Sequence, residues 1–320
     1  MSAKLLAITA LLLSASLSAA ELTVDHVSVA GRDLKQMQAR LAAMGIPSEF
    51  GGPHSNHATQ MALTGFPDGS YLELIALQDK PDEKAVAAHY WSKQIRGNAG
   101  PAAWAVRAND TGTEVKRLRA AGIEVTLQRS GRERPDGTRL EWEASPVGPG
   151  PNGVFFPFLI HDFTPREARV FPKGRPATRD FSGVKRVVIA VRDLKASIAR
   201  YRQAYGLPEP MTQEDASFGA RLAWFKGTPV VLAEPLNAQS WVARRILQFG
   251  DGPCAFVLGK KEDGAPRRAA YQTASSRAGL VWRSPGSIAQ DWAGTWASRI
   301  EPRCNPRSPF IQRRANSRAL

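Results

Sequence analysis

The chain has 320 residues, 43% of them hydrophobic and 22% charged, with a formal net charge of +14 at pH 7. That length supports two domains with cores of their own, and that balance of apolar and charged residues excludes an intrinsically disordered chain. The charge does not mark a nucleic-acid binder: residues 263–320 hold ten Arg, no Lys and three acids, the rest of the surplus is spread out, and no recognised nucleic-acid module accompanies either part.

Lys4 precedes an apolar run from Leu5 to Leu13, and Ser18, Ala19 and Ala20 close it with small residues before Glu21. A positive start, a short apolar stretch and an A-x-A-like site predict a secretory signal peptide over residues 1–20, cleaved after Ala20. The run is too short to span a bilayer comfortably. The mature protein is expected to be secreted or periplasmic and free of the membrane.

Strand Val24–Ala30 follows, with Val27 and Val29 on one face and His26, Ser28 and Ala30 on the other. Asp33 is an N-cap, Leu34, Met37, Leu41 and Met44 form a helical stripe, and Gly45 stops it. Strands are expected near Ser48–Phe50, Ala58–Thr64 and Tyr71–Leu77. In the last of them Leu72, Leu74 and Ala76 share one face, and Tyr71, Glu73 and Ile75 the other. His26 and Glu73, 47 residues apart, can thus line one concave surface.

Lys80–Pro101 reads as a connector, helical around Ala85–Trp91. A second unit repeats the order: strand Ala102–Arg107, cap Asp110, stripe Val115, Leu118 and Ala121, stop Gly122, then strands Ile123–Gln128, Arg139–Ala144 and Val154–His161. The Pro-, Arg- and Lys-rich segment to Ser182 reads as a linker over residues 163–182. In a third unit, VKRVVIAVRDLKASIARYRQAYGLP echoes VDHVSVAGRDLKQMQARLAAMGIP, with Asp193 as cap, Leu194, Ile198, Tyr201 and Tyr205 as stripe, and Gly206 as stop. Strands Arg221–Phe225 and Thr228–Glu234 follow, and GDGPCAFVLG begins a fourth unit. After Asp263 the pattern ends in an Arg/Ser-rich tail, either poorly ordered or read in a frame unlike that of its relatives. The expected domains are 21–162 and 183–262, with 263–320 of uncertain fold. Cys254, in an apolar stretch, reads as a small buried hydrophobe, although export would permit a disulfide with Cys304.

The motifs DHVSVAGRDL, GGPHSNHAT, DGSYLELIAL, SGRERPDGTRLEW and PFLIHD resemble the vicinal oxygen chelate superfamily, and most nearly its glyoxalase-like branch. The resemblance implies an α+β fold in which repeated βαβββ units pair into curved-sheet cups, as in glyoxalases and dioxygenases. It implies a small-molecule substrate and a divalent metal ion (Zn, Mn, Ni or Fe) held by the first and last strands of two units. The reaction would be that of a lyase, isomerase or dioxygenase; the alternative is a metal-free small-molecule binding protein of the same fold.

Carried over residue by residue, His26 and Glu73 are the metal ligands of the first unit. The second unit offers Ala103, Phe158 and Ile160 at the corresponding strands, and the third Arg186 and Val231, so the ligand set is short. His54 and His57, in a loop of the first unit, are candidates to complete it: His54 as a further ligand, His57 or Glu73 to move a proton. Arg132 and Arg134, on a loop over Trp142, suit a carboxylate, with Tyr71 beside Glu73 as a further substrate contact. Other templates fail: G-x-S-x-G, HExxH and CxxC do not occur. The glycines at 148, 150 and 153 are interrupted by Pro149 and Pro151, with no helix to follow.

Overall fold

The computed structural model describes residues 20–134, 136–260 and 280–283. Residues 1–19 of the expected signal peptide, Cys304 and most of the tail lie outside them. The first part runs β1 (Val24–Ala30), α1 (Leu34–Ala42), β2 (Glu49–Pro53), β3 (Thr59–Gly65), β4 (Tyr71–Leu77), α2 (Glu83–Ala88), α3 (Ser92–Arg96), β5 (Gly100–Arg107), α4 (Thr111–Ala120), β6 (Arg129–Glu133), β7 (Arg139–Ser145), β8 (Phe158–Asp162) and α5 (Arg166–Val170). Its eight strands form one sheet in the order β2-β3-β4-β1-β5-β8-β7-β6. The second part runs β9 (Phe181–Ala190), α6 (Leu194–Tyr205), β10 (Met211–Asp215), β11 (Ala220–Trp224), β12 (Val230–Pro235), α7 (Trp241–Phe249), β13 (Gly252–Lys260) and β14 (Leu280–Arg283), in a six-stranded sheet. Among the described residues no helix is long and apolar enough to cross a membrane.

The repeated "RDL" and "AND" signals act as expected. Asp33, Asp110 and Asp193 each accept a hydrogen bond from the backbone N–H three residues on, satisfying a donor that the first helical turn leaves open. Gly206 takes the left-handed conformation that ends α6, at φ 63°.

Strand register sets the faces. β1 runs parallel to β4, pairing His26 with Tyr71 and Ser28 with Glu73. It runs antiparallel to β5, pairing His26 with Ala105 and Ser28 with Ala103. Side chains of the opposite parity form the core: Val27, Val29, Leu72, Leu74, Trp104 and Val106 pack with Leu34, Leu41, Val115 and Leu118. The same cluster continues into Val187, Ile189, Tyr201 and Tyr205, so the backs of both sheets share one core. Tyr201 donates its hydroxyl hydrogen to the Phe155 carbonyl, and Arg117 Nη1 donates to the Ala204 carbonyl at 2.6 Å.

Five stretches depart from the sequence reading. Ile123–Gln128 forms only an isolated bridge, Val125 to Val147, and the strand lies further on as β6. β8 begins at Phe158, not Val154, because the preceding segment turns through Pro151 and Gly153. The segment read as a linker carries α5, whose arginines enter the first sheet's concave side. β10 and α7 were not anticipated; α7 lies across the second sheet, with Val242 and Ile246 buried against Val188, Ala190, Val231 and Ala233. Cys254 is fully buried in that cluster.

Candidate functional site

The concave face of the first sheet holds a cavity of about 410 Å³. β1 and β4 place His26, Tyr71 and Glu73 on its wall, the loop after β2 adds His54, β6 adds Arg132, and β7 adds Trp142. Of the residues expected at a site, these six line one space. His57 and Arg134 do not line it. Asn56 accepts hydrogen bonds from Ala58 N and Thr59 N, forming a tight turn in which His57 is exposed with φ 56°. Arg134 instead donates to the carbonyls of Ala168 and Pro172 and pairs with Asp136 at 3.2 Å.

The polar centre is built around Glu73. Its Oε2 accepts a hydrogen bond from Ser28 Oγ at 2.7 Å and lies 3.8 Å from His26 Nε2; its Oε1 lies 3.6 Å from His54 Nε2. Burial pushes the Glu73 carboxyl up, but the His54 and His26 imidazoles and the Ser28 hydroxyl outweigh it and hold the group at about 2. Glu73 is therefore ionised at neutral pH.

His26 is held from behind. The pairing of β1 with β5 slips between Val24 and His26, a bulge that leaves Asp25 out of the ladder. Asp25 is fully buried and its Oδ1 lies 2.7 Å from His26 Nδ1. Burial would raise the Asp25 carboxyl; Arg169, the bond to His26 and Arg166 together hold it well below the usual carboxylate range. An ionised Asp25 can only accept, so His26 Nδ1 donates the hydrogen of this bond, and Nε2 is the ring atom turned toward Glu73.

Arg169, only 4% exposed, bonds Asp25 at 3.0 Å, Asp162 at 2.5 Å and the Tyr71 hydroxyl oxygen at 2.7 Å. Tyr71 stacks on His26 with ring centroids 4.6 Å apart. Burial raises its hydroxyl pKa far above the ordinary value, against the opposing pull of Arg169. The phenol keeps its proton and can donate it in a hydrogen bond.

The sequence reading missed Asp25, Arg166, Arg169 and the run His89–Trp91. Asp25 directly precedes His26, and an acid beside a histidine on a strand is a signal only if a bulge turns both the same way. Arg166 and Arg169 stand three apart just after Pro165, a helix-start position, yet a Pro- and Arg-rich composition masked it. His89 accepts a hydrogen bond from Trp91 N at Nδ1, 3.1 Å away, so its Nε2 carries the proton of the neutral ring. Burial, and secondarily His54, lower the His89 pKa, with Glu73 opposing.

The donor chemistry fits a divalent cation: two imidazoles, each with Nδ1 held by Asp25 or Thr59, and one carboxylate steadied by Ser28. Their spacing in this structure is that of an ion-paired cluster. Among the described residues no group of three or more His, Cys, Asp or Glu side chains is drawn in closely enough to enclose an ion. The second unit supplies Ala103, Ala105, Phe158 and Ile160 on its side.

A family model described as a glyoxalase-like domain matches residues 24–205. No functionally curated protein matches the sequence. Among solved structures, a hypothetical protein from Staphylococcus aureus is 14% identical with a TM-score of 0.53, over 67% of this chain and 86% of that one. A variant of 4-hydroxymandelate synthase from Streptomyces coelicolor is 14% identical with a TM-score of 0.47, over 73% and 69%. Methylmalonyl-CoA epimerase from Mycobacterium tuberculosis is 21% identical with a TM-score of 0.30, over 42% and 93%. At 14% identity the likeness to the first of these is one of fold.

Proposed function

The chain belongs to the glyoxalase-like domain family, of vicinal-oxygen-chelate fold, and from that premise we propose that its first cup is the site of a divalent-metal-dependent enzyme acting on a small oxygenated molecule. One observation carries this reading. Both His26 Nε2 and His54 Nε2 converge on the ionised Glu73 carboxylate, 3.8 and 3.6 Å from its two oxygens. Two imidazole nitrogens and a carboxylate turned toward one another form a donor set that suits a divalent cation. His26, His54 and Glu73 would hold the ion, which when bound supplies Lewis-acid polarisation of a carbonyl or enolate oxygen.

The chain's own groups supply the rest. Two flanking imidazoles and the Ser28 hydroxyl on its carboxylate favour a ligand role for Glu73. Tyr71 keeps its proton and donates to oxygen that gains charge, while Arg169 fixes the phenol from behind. Neutral His89 presents an N–H from the connector side. Lyase, isomerase and dioxygenase chemistry all begin from such a polarised oxygen. Export completes the proposal and is checked by a purified N-terminus at Glu21.

Elemental analysis of the purified protein tests the metal. One equivalent of Zn, Mn, Ni or Fe is expected, lost in His26→Ala, His54→Ala and Glu73→Gln. No metal in the wild type, even after each is added, refutes the reading. The alternative, a metal-free binding cup, then stands; the alanines opposite His26 and Ser28 are what favour it.

A further inference from the structure

The polar centre occupies one side of the cavity, and the opposite side indicates what enters; the inference deepens the reading of this cup as a ligand site. That side is formed by Trp91, Trp142, Ala144, Phe158 and Ile160, with Ile75 adjoining. Trp91, Phe158, Ile160 and Ile75 are each buried. Their rings are held by neighbours in the cavity wall. Trp91 Nε1 donates to the Asn152 carbonyl at 3.0 Å, Phe158 meets the His26 ring edge-on at 5.3 Å, and Trp142 lies 5.9 Å from the Arg169 guanidinium. Rings held this way give a wall of fixed shape and apolar character, suited to another flat ring. A polyol or sugar would find few hydrogen-bond partners there, and its hydroxyls would be desolvated without return.

A cation stands at the junction of β6 and β2. Arg132 Nη1 donates to the Gly51 carbonyl at 2.9 Å, bridging the two edge strands of the cup, and Nη2 reaches the Arg169 carbonyl at 3.5 Å. Its neighbours Arg134, Arg166 and Arg169 each pair with a carboxylate. Among the described residues no carboxylate lies within ion-pair distance of Arg132. Its guanidinium stays charged, lines the cavity, and keeps N–H groups unspent. Such a fork is a receptor for a planar anion.

We propose that the first cup selects a small aromatic carboxylate, its ring among Trp91, Trp142, Phe158 and Ile160 and its carboxylate on Arg132. The reactive carbon, between ring and carboxylate, then lies toward His26, Tyr71 and Glu73. A volume of about 410 Å³ suits one or two rings.

Tryptophan fluorescence and calorimetry on the purified full-length protein test this, because Trp91 and Trp142 line the cavity. The probes are 3-phenylpropionate, its uncharged amide, and hexanoate, which keeps the charge without the ring. Phenylpropionate is expected to bind at least about ten-fold more tightly than either, as lost charge-assisted bonds or lost ring contacts imply. Arg132→Gln weakens it roughly ten- to hundred-fold and removes the preference over the amide. Trp142→Leu, at a half-buried position that tolerates change, removes the preference over hexanoate. Arg139→Gln, on the outer surface, leaves binding unchanged.

Equal affinity for phenylpropionate and hexanoate, no effect of Arg132→Gln, or no binding of any probe overturns the proposal. Each titration is run on metal-loaded and chelator-treated protein with metal content measured. Ring preference without bound metal upholds the ligand class and sinks the metal reading; bound metal without ring preference does the reverse.

Discussion

Asp25→Asn removes one charge from the cluster beneath the cup and tests whether that cluster organises it. Asp25 is fully buried, Arg169 is 4% exposed, and Asp25 contacts Arg166, Arg169 and His26 together. Without the carboxylate, two arginines face the single charge of Asp162, which keeps its bonds to Arg169 at 2.5 and 2.9 Å. Breaking a buried ion pair by removing one partner costs about 3–5 kcal/mol, and the residual pairing with Asp162 argues for about 3. For a folded region of this size the melting temperature falls by roughly 6–12 °C. The exposed pair Glu83–Arg96 sets the contrast: Glu83→Gln costs about 0.5 kcal/mol or less. The pH dependence has a fixed sign. The folded Asp25 pKa is depressed, so its contribution is complete above the unfolded value of about 3.9 and is lost as pH falls through the folded one. Chemical unfolding of both proteins at pH 7 and below pH 4 measures the difference. A loss under about 1 kcal/mol at pH 7, or a gap that widens in acid, refutes the reasoning.

Two further substitutions probe the join between the sheets. Gly183 has φ 150°, and a Cβ there would fall 1.8 Å from Asp68 Oδ2, whose carboxylate is already bonded to Ser70 and Lys185. Gly183→Ala is expected to cost about 2 kcal/mol or more by denaturant unfolding, since that clasp must open. Tyr201→Phe leaves packing intact but removes the hydroxyl that bonds the Phe155 carbonyl in the shared core, for a loss of about 1–2 kcal/mol.

What the sequence discloses is what depends on short periodicities. Alternation in VDHVSVA and YLELIAL puts His26 and Glu73 on one face, because register between parallel neighbours carries that parity across the sheet. Asp33, Asp110 and Asp193 announce their helices because a cap is a local interaction. What stays hidden depends on irregular backbone. A bulge turns Asp25 toward His26 against the parity of the strand. A turn built by Asn56 sends His54 inward and His57 outward, although the two look equivalent in GGPHSNHAT. Arg134 and Arg132 are likewise alternate residues, yet Arg134 is spent on the Ala168 and Pro172 carbonyls and on Asp136, while Arg132, bonded to the Gly51 and Arg169 carbonyls, lines the cavity. No pattern in the residues themselves distinguishes them.

The two sheets repeat one motif but use their concave faces differently, and this locates the chemistry. Where β1 and β4 set Ser28 beside Glu73, β9 and β12 set Val188 beside Val231. An apolar concave face exposed to water is unfavourable, and α7 covers it with Val242 and Ile246. A polar pair such as His26 and Glu73 under a helix of that kind would lose hydration without gaining a ligand. In the first sheet the covering element is the connector, and it reaches only part of the face. Trp91 and Ile95 pack over Ala103 and Ala105, while the space over β1 and β4 stays open. The second sheet instead steadies the first. Ser70 Oγ accepts from Val184 N at 2.9 Å, and Asp68 N donates to the Ser182 carbonyl at 3.2 Å, so the turn that leads into β4 is anchored on β9. Glu73 follows that turn by three residues. The filled cup therefore fixes the strand on which the open cup depends.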